Sequence, residues 1–112
     1  MKRIILLAFL CTTTLVMAQR INHVQEAIAN YDYEAALTLI AKEKPTIPLL
    51  LQKGKAQRGL GMNTEALSTY QEIIANDTAN TRAYIEAAEC CRSLAKYQQA
   101  LKYYEQALDL NP

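Results

Sequence analysis

The sequence has no tryptophan, one phenylalanine, one histidine, and three residues each of glycine, proline and cysteine among its 112. With no second histidine to join His23, a zinc pair is excluded and no serine–histidine relay is legible. The cysteines show no Cys-x-x-Cys spacing, so a thiol metal or redox site is not expected. So few glycines include no Gly-x-Gly-x-x-Gly and no Walker pattern, and Gly59 and Gly61 read as a helix stop rather than a phosphate cradle. The glycine and proline counts also exclude collagen and proline-rich linkers. Twelve cations against eleven acids leave a net charge of +1, too little to draw the chain to nucleic acid or an anionic membrane. No apolar run reaches the roughly 18–20 residues of a transmembrane helix. These absences argue against an enzyme and imply no cofactor and no metal.

What is present is a chain 51% hydrophobic and 21% charged, enough for one folded domain. Its start has a separate logic. Lys2 and Arg3 precede the apolar run Ile4–Leu10; Thr12, Thr13 and Thr14 dilute it, and Val16 and Ala18 occupy the two small-residue positions of a signal-peptidase site. Residues 1–18 are therefore expected to be a secretory signal peptide, cleaved before Gln19, and the mature chain to be periplasmic or secreted. A lipoprotein signal needs a small residue before its cysteine; Leu10 precedes Cys11, so Cys11 is assigned to the discarded apolar region. Losing Lys2 and Arg3 takes the 12 cations to 10 against 11 acids, still near neutral.

Residues 19–112 repeat themselves. A shift of 34 places Leu60 on Leu94, Ala66 on Ala100, Leu67 on Leu101 and Tyr70 on Tyr104, and sets Gly54 on Ala88 and Gly61 on Ala95. A shared period of this size means stacked supersecondary units rather than one closed core. Each unit reads as two helices. In the last, Ala83, Tyr84, Ala87, Ala88 and Cys91 recur at three- and four-residue spacing; after a turn, so do Tyr97, Ala100, Leu101, Tyr104, Ala107 and Leu108. Asn80 or Thr81 is expected to cap the first of these helices, Thr46 with Pro48 to open the first helix of the middle unit, and Asn63 or Thr64 to cap its second. Cys90 and Cys91 are adjacent and cannot bond to each other in a helix. They read as small buried hydrophobes, with an intermolecular disulfide as the alternative.

The last unit, 81–112, resembles the tetratricopeptide repeat, with Tyr84, Ala88, Tyr97, Ala100, Tyr104, Ala107 and Pro112 at the family's positions. The middle unit, 47–80, keeps Gly54, Leu60, Gly61, Ala66, Tyr70 and Ile74 but has Leu50 for the first aromatic and Thr78 for the last proline. A degenerate unit, 19–46, precedes them, carried by Ile21, Val24, Ala27 and Ile28, then Tyr33, Ala36, Leu37 and Ile40. Ala36 lies 30 rather than 34 before Ala66, which marks it as shortened. The resemblance implies an all-α solenoid of antiparallel helix pairs, and an exported scaffold that binds proteins or peptides on the concave face of its first helices. On that face stand Gln52, Lys55, Arg58, Arg82, Ile85, Glu86, Glu89 and Arg92. Lys55, Arg58 and Arg92 would meet a ligand carboxylate or backbone carbonyls. Alternatively the charges pair locally, Arg82 with Glu86 and Glu89 with Arg92. Family members that clamp chaperone C-termini use a lysine and asparagine grid. Leu51 and Ile85 replace its lysines and Lys55 and Glu89 its asparagines, which argues against that partner class. A second reading is a structural docking or self-association segment with no peptide ligand. On either, Tyr84, Ile85, Tyr103 and Leu108 compete for burial on the outer side of the last pair, and further repeats or another chain are expected to cover it.

Overall fold

Apolar residues recur at helical spacing along the whole chain, and the backbone follows. The computed structural model describes the backbone of residues 2–112 and the side chains of residue 12 and residues 14–112. Among the described residues there are six helices and no strand: α1 (Lys2–Ala29), α2 (Tyr33–Ile40), α3 (Ile47–Gly59), α4 (Asn63–Asn76), α5 (Thr81–Ser93) and α6 (Tyr97–Leu110). They pack as pairs, α1 with α2, α3 with α4 and α5 with α6, and the pairs stack through α2 on α3 and α4 on α5. This is the expected all-α solenoid. No described helix is long and apolar enough to cross a membrane.

The first helices of the pairs begin as their sequences dictate. Thr46 accepts a hydrogen bond from the Leu49 N–H, with Pro48 in the first turn, and Asn80 accepts from Ala83. Asp32 caps α2 in the same way through Ala35. The expected cap on α4 is corrected: Met62, not Asn63 or Thr64, is the flanking residue, and no side chain caps it. A cap must stand outside the helix with non-helical dihedrals. Met62 does, at φ −83° and ψ 63°, whereas Asn63 is already helical.

The three turns inside the pairs share one geometry. Tyr31 (φ 59°), Gly61 (φ 74°) and Ala95 (φ 60°) are left-handed. The next N–H in each turn reaches back to the helix it has left: Asp32 to Ala27, Met62 to Gln57 and Lys96 to Cys91, each at 2.8 Å. This is the glycine-favouring helix stop, and two of the three turns make it without glycine. Ala95 is solvent-exposed, so its methyl contributes strain and little packing. Ala95→Gly should stabilise the fold by about 0.5–1 kcal/mol, less the greater freedom glycine gives the unfolded chain. Thermal unfolding would show this as a rise of a few degrees; an unchanged or lowered midpoint would contradict the turn geometry.

The core is two adjoining clusters divided by α3. Leu49 and Ala56 face Val24, Ile28, Ala36 and Ile40 of the first pair. Leu50 faces the larger cluster of Ala66, Leu67, Tyr70, Ile73, Ala83, Ala87, Cys90, Cys91 and Ala100. Both cysteines there are wholly buried and free, as the small-hydrophobe reading expects, and burial pushes the Cys90 thiol up to about 11. Glycine is favoured at position 54: a Cβ there would lie inside contact distance of the Tyr70 ring, itself only 1% exposed.

The first pair departs from the period in one place. α2 has 8 residues where α4 has 14, and the link from α2 to α3 is two residues longer than that from α4 to α5. Six lost and two gained account for the spacing of 30. In α1, every described side chain before Val24 is exposed, and the helix runs unbroken across the Ala18–Gln19 bond.

Candidate functional site

The eight residues singled out from the sequence lie on α3 and α5 and divide into two groups. Towards the C-terminal end they form a charge network. Arg58 on α3 donates to Glu86 on α5, so the expected local Arg82–Glu86 pair is replaced by a bridge between repeats. Burial alone would lower the Arg58 pKa, but the charge and hydrogen bond of Glu86 outweigh it and the net shift is upward. Glu89 accepts from Tyr104 and from Arg92, both at 2.5 Å, the second being the local pair expected from the sequence. The Tyr104 hydroxyl bond and the Arg92 charge hold the Glu89 carboxyl below its ordinary range, and the same bond raises the Tyr104 phenol. Arg82 and Ile85 are exposed beside this network.

Towards the N-terminal end lies an open pocket of about 310 Å³. Gln52 and Lys55 of α3 line it with Gln25 and Ile28 of α1, with Tyr31 of the α1–α2 turn and with Tyr33 of α2. Lys55 is exposed and makes no ion pair among the described residues. Tyr31 is 79% exposed and stands edge-on to Tyr33, with ring centroids 6.2 Å apart. Tyr33 is fixed in turn by Gly59, where a Cβ would overlap its ring. Sequence reasoning had no place for Tyr31. The signal was its alignment with Gly61 and Ala95, which marks a bulky residue at a position that favours glycine.

His23 is exposed on α1, as a surface residue. No group of residues able to hold a metal ion occurs among the described residues. Of the side chains expected to compete on the outer side of the last pair, Tyr84 does not. It is 7% exposed, its hydroxyl donates to the Thr78 carbonyl at 2.9 Å, and its ring lies against Tyr103.

Paired helices, stacked pairs and a 34-residue shift leave one family to compare, and residues 81–112 match the model described as Tetratricopeptide repeat. Over that stretch the chain is similar to the tetratricopeptide repeat family. The solved structure described as PcrH in complex with the chaperone binding region of PopB superposes with a TM-score of 0.80 at 19% identity, over 85% of this chain and 80% of that one. The structure described as MamA MSR-1 C2 gives 0.73 at 18% identity, over 88% of this chain and 56% of that one. This chain therefore spans little more than half of MamA. At these identities the likeness is one of fold alone, and it covers the helix pairs that the family model does not reach. No curated protein sequence matches the chain.

Proposed function

We propose that this chain is an exported scaffold that binds a protein or peptide along the face shared by its first helices. The observation that carries the reading is Tyr31. Its left-handed backbone costs about 1–2 kcal/mol relative to a relaxed residue. The strain holds an exposed ring beside an unpaired lysine, Lys55, and two glutamines, Gln25 and Gln52. Strain concentrated on an exposed aromatic suits a recognition surface better than a core. Arg58 with Glu86 and Arg92 with Glu89 are already paired, so the ligand contacts fall to Gln52 and Lys55, with Arg82 and Ile85 extending the surface. The neighbour PcrH is described with a bound region of PopB, which makes a peptide a natural class of ligand for the same fold. Peptides selected from a random display library should lose about tenfold or more in affinity with Lys55→Glu or Tyr31→Ala, measured by fluorescence anisotropy. Selected peptides indifferent to both changes would sink the proposal.

Export rests on the sequence of residues 1–18, and the packing is compatible with their removal. The described part of that segment is exposed and the core begins at Val24, so cleavage before Gln19 leaves a helix about as long as α3 and α5. Intact mass of the secreted protein should correspond to residues 19–112. A mass that retains Met1–Ala18 overturns the signal-peptide reading.

A second reading, self-association, is favoured by a different observation. Leu101 and Leu108 of α6 are 58% and 61% exposed, while their counterparts under α5, Leu67 and Ile74, are buried and half-buried.

A further inference from the structure

The shortened α2 leaves a hole, and the molecule itself contains the group that fills such a hole. Ala36, Leu37 and Ile40 of α2 correspond to Ala66, Leu67 and Tyr70 of α4 at the 30-residue spacing. α4 then continues for six residues and brings Ile73, fully buried, into the core cluster that also holds Ala83 and Ala87 of α5. α2 has no such continuation: the chain leaves the helix at Ala41 and passes through Pro45 to Thr46. The counterparts of Ala83 and Ala87 on α3 are Leu49 and Lys53, bulkier residues that narrow the gap without closing it. A cavity of about 370 Å³ is left, walled by Leu37, Ile40, Leu49 and Leu50.

Its polar residues have one sign to spare. Lys44 and Lys53 stand at the cavity and neither forms an ion pair among the described residues. The carboxylate nearby, Glu43, is taken by Arg20 at 3.1 Å. At the far end Gln57, 7% exposed, accepts from the Thr69 hydroxyl at 2.7 Å and is thereby held in place. An aliphatic enclosure with two unspent cations favours an apolar group attached to an anion.

We propose that this cavity is a second binding site, which takes an isoleucine or leucine side chain of a partner peptide whose neighbouring residues are acidic. The aliphatic group enters the space that Ile73 occupies in the next repeat, and the flanking carboxylates meet Lys44 and Lys53. The site lies between α2 and α3, apart from the Tyr31–Lys55 pocket, and does not depend on that pocket being used.

The test uses the full chain with labelled leucine and isoleucine methyls, and a blocked peptide carrying one isoleucine between two glutamates in a glycine–serine background. The Leu37, Leu49 and Leu50 methyl resonances should shift saturably as this peptide is added. Serine in place of the peptide isoleucine should weaken binding by about tenfold or more, and lysines in place of its glutamates should weaken it likewise. Lys53→Gln should weaken the charge preference, Lys44→Gln with Lys53→Gln should abolish it, and Lys44→Glu with Lys53→Glu should reverse it. Tyr31→Ala should leave all of this unchanged, which separates failure at this site from failure of the proposed recognition face. Methyl shifts that are absent, or that ignore the isoleucine, overturn the proposal. So does saturation by octanoate where the peptide has no effect, because the site would then serve a free amphiphile.

Discussion

Gly54→Ala should lower the unfolding free energy by about 1–2 kcal/mol, although helix propensity alone predicts a gain of nearly 1 kcal/mol for removing a glycine from mid-helix. The sign is decided by Tyr70. A methyl at position 54 falls on the far end of that ring, and the ring is enclosed by the core cluster that α5 completes. Overpacking of this kind typically costs about 1–3 kcal/mol. The last repeat shows how the conflict resolves when there is room. Ala88 stands where Gly54 does, and the corresponding Tyr104 is half-exposed with its hydroxyl turned to Glu89. Tyr70 has no such exit. In thermal unfolding the loss should appear as a drop of roughly 5–15 °C for a domain this small. Tyr70→Leu shortens the offending group, so the double variant should be milder than the sum of the two single changes by about 1 kcal/mol. A stabilising Gly54→Ala, or strict additivity, would mean that Tyr70 does not rest on Gly54.

The same pair explains why so much of the fold was legible in the sequence. Small residues at 54 and 88 and tyrosines at 70 and 104 are the two halves of one contact, so a packing rule is written as a period. Caps were legible at Thr46 and Asn80, where a side chain does the capping, but the Asp32 cap of α2 was missed. They were not legible at Met62 and Lys96, where backbone geometry set by the preceding left-handed residue turns the chain into the next helix and no side chain is needed. The departure of the first unit could be counted, as 30 in place of 34, but its location could not. The missing residues turn out to lie in the last turns of α2, because Lys44, Pro45 and Pro48 favour an extended link over more helix.

The candidate site was less legible, for a reason of range. Sequence shows which charges are one helical turn apart, and it correctly paired Glu89 with Arg92. It could not show that Arg58 reaches across 28 residues to Glu86 and draws that carboxylate from Arg82, because that bond exists only once α5 is stacked beside α3. Tyr31 was missed because exposure and a left-handed backbone are both invisible in a side-chain pattern. Shifting the chain by 30 rather than 34 over the first unit would have aligned it with Gly61.

Replacing Leu101 and Leu108 together by lysine should abolish self-association and leave the fold intact. On α4 the equivalent face is covered by α5, whose contacts are small: Ala83, Ala87, Cys90 and Cys91. On α6 no described residue covers it, and Tyr97, Leu101 and Leu108 are 66%, 58% and 61% exposed along one side of the helix. Full burial of a leucine is worth about 1.5–3 kcal/mol, so covering two that are more than half exposed offers roughly 1–2 kcal/mol each. Together that is about 2–4 kcal/mol from each copy, or roughly one and a half to three orders of magnitude in an association constant. A second copy can supply the cover by apposing its own α6 about a two-fold axis, since one apolar stripe then serves both partners. Light scattering of the unmodified chain should therefore report concentration-dependent dimers. The lysine pair should scatter as a monomer with an undiminished helical signal, because both side chains already face solvent. If the unmodified chain stays monomeric at millimolar concentration, the α6 face needs no partner of its own kind, and the self-association reading fails while the recognition face on α1 and α3 stands.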